Sequence, residues 1–318
     1  MGNQSTARDS SKLKLTHIST ATKQAVQIVS NRRKGINETL ITPWPKLNKA
    51  FFGGVEPQTV FTIAGISGSG KSAIANEMET GLIDLNPNVP MAVLSFNWEM
   101  VSSRQITRKF SNKMEMSVRN VMSADAPMTD VDYERVIKNA QDIAKYPIYY
   151  ADDPGTADQV YNTVMGMWED PKFTALGENR WLVVFLDHTI LTKGRDSQSE
   201  RAILSDLQKQ FMILKKKIKV TIIQLSQMNR GIEDEDRILN PERHYPKRGD
   251  IFGGDSVYQA SDYVLVSHRP EILHISSYGP DNLPVEDAVY WHLMKARDGE
   301  PQILQMKNRL EFNKIEEL

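Results

Sequence analysis

Val60-Phe61-Thr62-Ile63-Ala64 runs directly into Gly65-Ile66-Ser67-Gly68-Ser69-Gly70-Lys71-Ser72, and a helical pattern follows from Lys71 to Leu85. The eight residues from Gly65 match the phosphate-loop pattern G-x-x-x-x-G-K-[ST] at every position. A β-branched strand before them and a helix after them supply the context that the pattern requires, which a chance Gly/Ser turn lacks. Glycines let backbone N–H groups curl around a phosphate, and the helix N-terminus adds a partial positive charge. In this reading Gly65, Ser67, Gly68, Ser69 and Gly70 shape the cradle. Lys71 reaches the β and γ phosphates, and Ser72 holds Mg²⁺ through its hydroxyl. ATP and Mg²⁺ are therefore the expected cofactors.

Working outward, apolar strands alternate with helices. Strands are expected at Val60–Ala64, Met91–Phe96, Pro147–Ala151, Trp181–Asp187, Val220–Leu225, Tyr263–Ser267, Val289–Met294 and Ile303–Met306. Helices are expected at Lys71–Leu85, Val101–Met114, Asp130–Lys145, Thr156–Trp168 and Glu200–Lys217. Continuous apolar strands between helices indicate an α/β fold with a mostly parallel sheet covered on both faces. Asp187 ends the strand Trp181–Asp187, and ligands of open α/β sheets bind at the carboxyl ends of strands. Asp187 is the candidate second residue of the Mg²⁺ shell; the plainer reading is a turn-forming Asp. Glu99, three residues past the strand Met91–Phe96, is either a water-activating base or a helix-start carboxylate favoured by the helix dipole.

Composition narrows the rest. The chain has 318 residues, no cysteine and a formal net charge of −1. Disulfide frameworks, thiol nucleophiles and Cys zinc sites are excluded, and six unpaired histidines suggest no metal site. No apolar run reaches the 18 residues of a membrane span. Met1–Lys14 lacks a signal-peptide core, so a cytoplasmic protein without a membrane partner is expected. Met1–Thr6 fits the loose myristoylation pattern, as polar tails often do. Residues 1–16 read as a disordered tail. Ile18, Ala21, Ala25, Ile28 and Val29 recur at helical spacing before Arg32, Arg33, Lys34 and Gly35. Residues 17–35 are thus a lone amphipathic helix that packs on its own domain or on a neighbouring chain. Residues 36–318 form one large domain.

Further segments carry a family resemblance. Leu94-Ser95-Phe96-Asn97-Trp98-Glu99-Met100, with Arg108 beyond it, resembles the F-S-L-E-M segment of DnaB-type replicative helicases. Leu225-Ser226-Gln227-Met228-Asn229-Arg230 is similar to their L-S-Q-L-N-R segment, and Lys295-Ala296-Arg297-Asp298-Gly299 to their K-x-R-x-G segment. Asp250, Gln259 and Asp262 fall at the spacing of the family's D-L-R-E-S-G-x-I-E-Q-D-A-D stretch, and Asp152–Gly155 fits a further loop. The matches occur in order from about residue 36 to 310. The resemblance implies a RecA-like P-loop NTPase motor. In it Glu99 polarises water, Gln227 senses the γ-phosphate, and Arg297, with Lys295 beside it, reaches into a neighbouring subunit's site; Arg108 supports the site through a salt bridge. It also implies a hexameric ring, single-stranded DNA as partner, a primase or helicase loader, and residues 17–35 as a linker helix on the adjacent subunit. The family usually carries a further domain before that helix, where about sixteen residues stand here.

One departure concerns DNA. Where the family's DNA-facing loop has Arg-Glu, this chain has Phe252-Gly253. Phe252 either stacks on a base or packs inward; Gly253 and Gly254 could offer backbone N–H groups. Arg230–Gly249 reads as a long polar loop that opens on Arg230, itself a candidate DNA contact, and in which Arg243, His244, Lys247 and Arg248 form a basic cluster or merely a solvated surface. Thr192–Ser199, with Lys193 and Arg195, is a second candidate. Lys215, Lys216, Lys217 and Lys219 end a helix, where cations are favoured anyway. The expected function is an ATP-driven helicase that encircles and translocates along single-stranded DNA. A RecA-like recombination or repair ATPase, and a regulatory DnaB-like ATPase without unwinding, are the alternatives.

Overall fold

The computed structural model describes residues 15–36, 38–194 and 197–318. Met1–Thr6, most of the expected 1–16 tail and Arg195 lie outside the described residues. The described chain divides into two compact units, the first ending at Glu38 and the second running from Thr39 to Leu318.

The first unit holds α1 (Ile18–Arg33). The His17 side chain caps its start by accepting from Ser19 N, and Arg32 and Arg33 sit in its last turn, where the dipole favours cations. No residue of α1 is buried; Ile18, Val26, Ile28 and Val29 are all exposed.

The second unit contains α2 (Pro45–Ala50), β1 (Thr59–Gly65), α3 (Lys71–Leu85), β2 (Met91–Asn97), α4 (Ser102–Met114), α5 (Val118–Met122), α6 (Asp130–Ile143), β3 (Ile148–Ala151), α7 (Ala157–Glu169), α8 (Pro171–Thr174), β4 (Trp181–Asp187), α9 (Glu200–Lys217), β5 (Val220–Gln227), α10 (Glu235–Ile238), α11 (Gly254–Ala260), β6 (Tyr263–His268), β7 (Ala288–Ala296), β8 (Gln302–Arg309) and β9 (Lys314–Glu317). One sheet runs in the order β3-β2-β4-β5-β1-β6-β7-β8-β9. Pairs from β3 to β6 are parallel, and those from β6 to β9 antiparallel.

Alternation along the central strands explains why both faces are covered. Phe61 and Ile63 of β1, with Trp181, Val183 and Phe185 of β4, face a core that includes Ile74, Met78 and Leu82 of α3. Val60, with Leu182, Val184 and Leu186, faces a second core built on Val160 and Val164 of α7 and Leu207, Phe211 and Leu214 of α9. A period of two puts every second side chain on each face, so a strand sandwiched between helix layers must be apolar throughout. The phosphate-loop strand β1 is thereby held between β5 and β6 in the middle of the sheet.

One local expectation is corrected. Residues 230–249 do not form an irregular loop: they carry 3-10 turns at Arg230–Glu233 and Pro241–Arg243 around α10. Arg237 closes the segment by bonding both carboxylate oxygens of Asp250 at 2.7 Å, and it also donates to the Arg243 and Tyr245 carbonyls. A single half-buried bidentate pair thus folds a stretch whose polarity alone suggested solvent.

Candidate nucleotide site

A cleft of about 610 Å³ opens at the carboxyl ends of β1, β2 and β5, lined by Ser67, Gly68, Gly70, Lys71, Ser72, Glu99, Arg108, Gln227, Arg269, Leu310 and Asn313 among others. The phosphate loop is shaped by close backbone approaches. A Cβ on Gly65 would lie 2.3 Å from Ser69 Oγ and 2.6 Å from the Ser267 carbonyl oxygen. Gly68 and Gly70 have φ of +76° and +92°, a region that costs little only for glycine. Ser267 Oγ donates to the Ser69 carbonyl at 2.6 Å, tying the loop to β6.

Lys71 is buried and donates to the Gly65 and Ile66 carbonyls at 2.8 and 2.9 Å. Burial pulls its pKa down to about 8, against the raising influence of Asp187 and Glu99. Burial, then Glu99, push the Asp187 carboxyl up to about 7. Asp187 Oδ1 is buried without a partner. These features fit a magnesium-bound nucleotide: a glycine-shaped phosphate cradle, a lysine satisfied by loop carbonyls, and an orphaned acidic oxygen beside Ser72. Among the described residues no cluster of three His, Cys, Asp or Glu could hold a metal. A divalent ion here would thus take part of its shell from phosphates and water, as Mg²⁺ commonly does.

Glu99 and Gln227 face the same cleft as Lys71. Glu99 is placed by backbone: the N–H groups of Trp98 and Glu99 donate to the Asp187 carbonyl at 2.8 and 3.4 Å. Arg108 also lines the cleft but makes no salt bridge among the described residues. Sequence reasoning missed several residues here. His188 Nε2 lies 3.2 Å from Gln227 Oε1 and so fixes the glutamine side chain; burial lowers its pKa, keeping the ring neutral. Its only signal was adjacency to Asp187. Arg269, Leu310 and Asn313 carried no motif, since they come from the ends of β6 and β8.

Lys295 and Arg297 are not in this cleft. Arg297 pairs with the fully buried Asp262 while remaining 58% exposed itself. Asp262 also binds Lys215 Nζ at 2.6 Å and accepts from Val60 N at 2.8 Å. The guanidinium is therefore level with Val60, five residues from Gly65 along β1, or roughly 16 Å at about 3.3 Å per residue. Lys295 donates to the Tyr258 carbonyl at 2.9 Å, at the same end of the sheet. Both residues lie away from their own chain's phosphate loop. Lys215 proves to be a core ion-pair partner rather than a surface cation, and Lys217 and Lys219 lie over Tyr161 and Trp181.

The segment after β5 joins the cleft to the candidate DNA surface. Phe252 N donates to the Gln227 carbonyl at 2.9 Å, Met228 bridges Ile251, and Asn229 N donates to the Asp250 carbonyl at 2.6 Å. Phe252 is half-buried and lines a groove of about 370 Å³ with Glu200, Arg201, Leu204, Asn229 and Gly253. Gly253 is needed for packing: at φ +71° its Cβ would lie 2.6 Å from Leu204 Cδ1. Gly254 already donates its amide to the Ile251 carbonyl and so does not offer it outward. His244 leaves the basic cluster. It is buried, accepts from Gly279 N through Nδ1 at 3.0 Å, and contacts the Ile238 carbonyl through Nε2 at 2.8 Å; a ring accepting at one nitrogen is neutral. Arg243 pairs with Asp236, and Arg248 with Asp255 at 2.7 Å. Arg230, Lys193 and Lys247 are exposed. These cations are spread over a surface that also carries acids.

Fold and cleft together define a RecA-like P-loop nucleotide-site domain, with a mostly parallel sheet and the phosphate loop at its centre. The DnaB-like helicase C-terminal domain model matches residues 39–317, and the chain belongs to that family. It is 24% identical over 184 residues to the replicative DNA helicase DnaB of Mycobacterium leprae, covering 57% of this chain and 28% of that one. It is 23% identical over 250 residues to the DnaB of Buchnera aphidicola subsp. Schizaphis graminum, covering 76% and 48%. The chain thus spans less than half the length of these curated relatives. A solved ATPase domain superposes with a TM-score of 0.78 at 15% identity, over 96% of this chain and all of that one. A solved DnaB-like replicative helicase, studied with primase, gives 0.76 at 16%, over 96% and 68%. No described helix is long and apolar enough to cross a membrane.

Proposed function

We propose that this chain is the motor of an ATP-dependent replicative DNA helicase, which encircles single-stranded DNA as a homo-hexameric ring and hydrolyses ATP at subunit interfaces. The observation that carries this reading is the position of Arg297. An arginine at the far end of the sheet can neutralise a transferring phosphoryl group only in another copy's cleft. Residues 17–35 would pack on the adjacent subunit, as the exposed apolar residues of α1 suit. Residues 36–318 would form the motor, and a primase or helicase loader would be the further partner.

Bound Mg²⁺ would neutralise charge developing on the phosphates. Ser72 and Asp187 would hold it, Lys71 would exchange its loop carbonyls for phosphate oxygens, and Glu99 would orient and deprotonate water. Gln227 would report the γ-phosphate through its backbone tie to Phe252. DNA would meet the groove around Phe252, which Arg201 lines, with Arg230, Arg243, Lys247 and Arg248 as further candidate cations and Gly253 as the loop's pivot.

The test is unwinding of a forked duplex, with ATP hydrolysis measured with and without single-stranded DNA. Lys71→Ala and Arg297→Ala should each lower both activities at least about 100-fold. Mixed rings of the two variants should recover part of the activity, because some interfaces then hold an intact Lys71 beside an intact Arg297. No recovery would overturn the trans assignment. ATP hydrolysis without any unwinding would favour the repair or regulatory reading.

A further inference from the structure

Behind the phosphate loop lies a buried polar network whose hydrogens can be counted. Lys109 Nζ donates to the Asn76 carbonyl at 3.1 Å, to Asn76 Oδ1, and to Glu79 Oε2 at 2.8 Å. Three acceptors need three hydrogens, so Lys109 is an ammonium and Glu79, its partner, a carboxylate that only accepts. Ser95 Oγ lies 2.6 Å from Glu79 Oε1 and 2.8 Å from the Asn97 side-chain amide. A hydroxyl has one hydrogen, and Glu79 must receive it. The Ser95 contact is then a hydrogen bond only if Asn97 donates, which turns the amide nitrogen toward Ser95. With the amide assigned in that orientation, its carbonyl oxygen takes the far position, which is buried and has no hydrogen-bond partner.

That oxygen has a specific neighbourhood. Asn97 and Asp187 are register partners in the parallel pair β2·β4, so their side chains leave the same face of the sheet. Both line a cavity of about 10 Å³ together with Ser72, room for about one water. Asp187 Oδ1 is likewise buried without a partner. Two orphaned acceptor oxygens facing one small space beside the Ser72 hydroxyl call for a donor or a cation. Mg²⁺ keeps several waters when it binds a nucleotide, and each carries hydrogens that need acceptors. We infer that Asn97 is a positioning residue of the metal site, its carbonyl oxygen fixing a water of the Mg²⁺ shell held by Ser72 and Asp187. The inference rests on the nucleotide-site reading above.

The test measures binding of a fluorescent ADP to the full chain while Mg²⁺ is titrated, for wild type, Asn97→Ala and Asn97→Asp. Asn97→Ala should raise the Mg²⁺ midpoint about tenfold or more and leave Mg²⁺-free nucleotide binding unchanged. Asn97→Asp keeps an acceptor oxygen and should stay within about threefold of wild type. An unchanged midpoint for Asn97→Ala overturns the inference and leaves Asn97 a partner of Ser95 alone. An Asn97→Asp midpoint as high as that of Asn97→Ala also overturns it, because the amide would then act by donating. If the alanine variant does not fold, the aspartate variant still decides by the same threshold. Wild type that binds no nucleotide at either extreme of Mg²⁺ would sink the nucleotide-site reading and the inference together, a result distinct from failure of Asn97 alone.

Discussion

Between pH 7 and pH 5 one buried cluster should act against the stability of the domain. Tyr278 Oη lies 2.7 Å from His268 Nδ1 and 2.7 Å from His292 Nε2. One phenolic hydrogen serves one ring, which is neutral because it accepts, so the other ring must donate. Burial lowers the pKa of each histidine from 6.5 to about 3, with Arg237 further opposing charge on His268, and a charge on His268 opposing one on His292. Asp250 acts the other way on His268 without reversing the balance. A depressed histidine pKa means that the unfolded chain binds protons which the native state refuses. Stability is therefore full above pH 6.5 and falls as pH drops toward 3. Integrated from pH 7 to pH 5, each ring contributes a loss of about 2 kcal/mol, or about 4 kcal/mol for the pair. Glu77 and Asp187 work in the opposite direction. Burial raises both carboxyls to about 7, so the native state holds protons that the unfolded state has released, and stability rises as pH falls through 7. The decisive quantity is thus a difference. Urea unfolding at pH 7 and pH 5 should be followed by circular dichroism for wild type and for His268→Gln/His292→Gln. Wild type should lose about 4 kcal/mol more than the double variant over that interval. Equal losses would refute the account, because they would mean that the rings are protonated without cost or never buried.

Three further outcomes follow from buried contacts. Asp262→Asn leaves the Lys215 ammonium buried with a weakened partner, and should lower the urea-derived stability by about 3 kcal/mol or more; Arg297→Ala, which removes a half-exposed partner, should cost about 1 kcal/mol or less, and the reverse order would refute this ranking. Gly253→Ala, at positive φ and against Leu204, should cost about 1–3 kcal/mol, and adding Leu204→Ala should not worsen it by the full cost of a core truncation; strict additivity would show that the two do not meet. Arg237→Met removes the clasp on Asp250, and native-state trypsin digestion should then cut at Arg243 and Lys247 faster than in wild type, whereas unchanged cleavage would mean that the segment is held without it.

Legibility followed sequence locality. Lys71–Leu85, Trp181–Asp187 and Glu200–Lys217 have the bounds expected from pattern alone, because each is apolar at a single clear period. β9 could not be read: Lys314-Ile315-Glu316-Glu317 offers one apolar residue, and its strand state comes from pairing with β8 and from Ile315, which packs into the core against the phosphate loop. His244 shows the same limit in the site. Beside Arg243, Lys247 and Arg248 it looked basic, yet it is neutral inside an aromatic cluster with Tyr278, a contact made across 34 residues of sequence. Arg237, which no motif singles out, organises the segment.

The phosphate loop was readable because its chemistry is written in consecutive residues, each with one backbone or side-chain task. The second half of the site was not, because its members are brought together by sheet register. Asn97 stands beside Asp187 only because β2 and β4 pair in parallel at that position, and Gln227 reaches both His188 and the Phe252 amide only because β5 ends next to β4 and the chain returns at Ile251. A shift of one residue in either register would send these side chains to the opposite face. The same register keeps Arg297 away from its own loop. Whatever an isolated subunit does with nucleotide, its sheet leaves the arginine turned outward, paired with Asp262 and level with the start of β1.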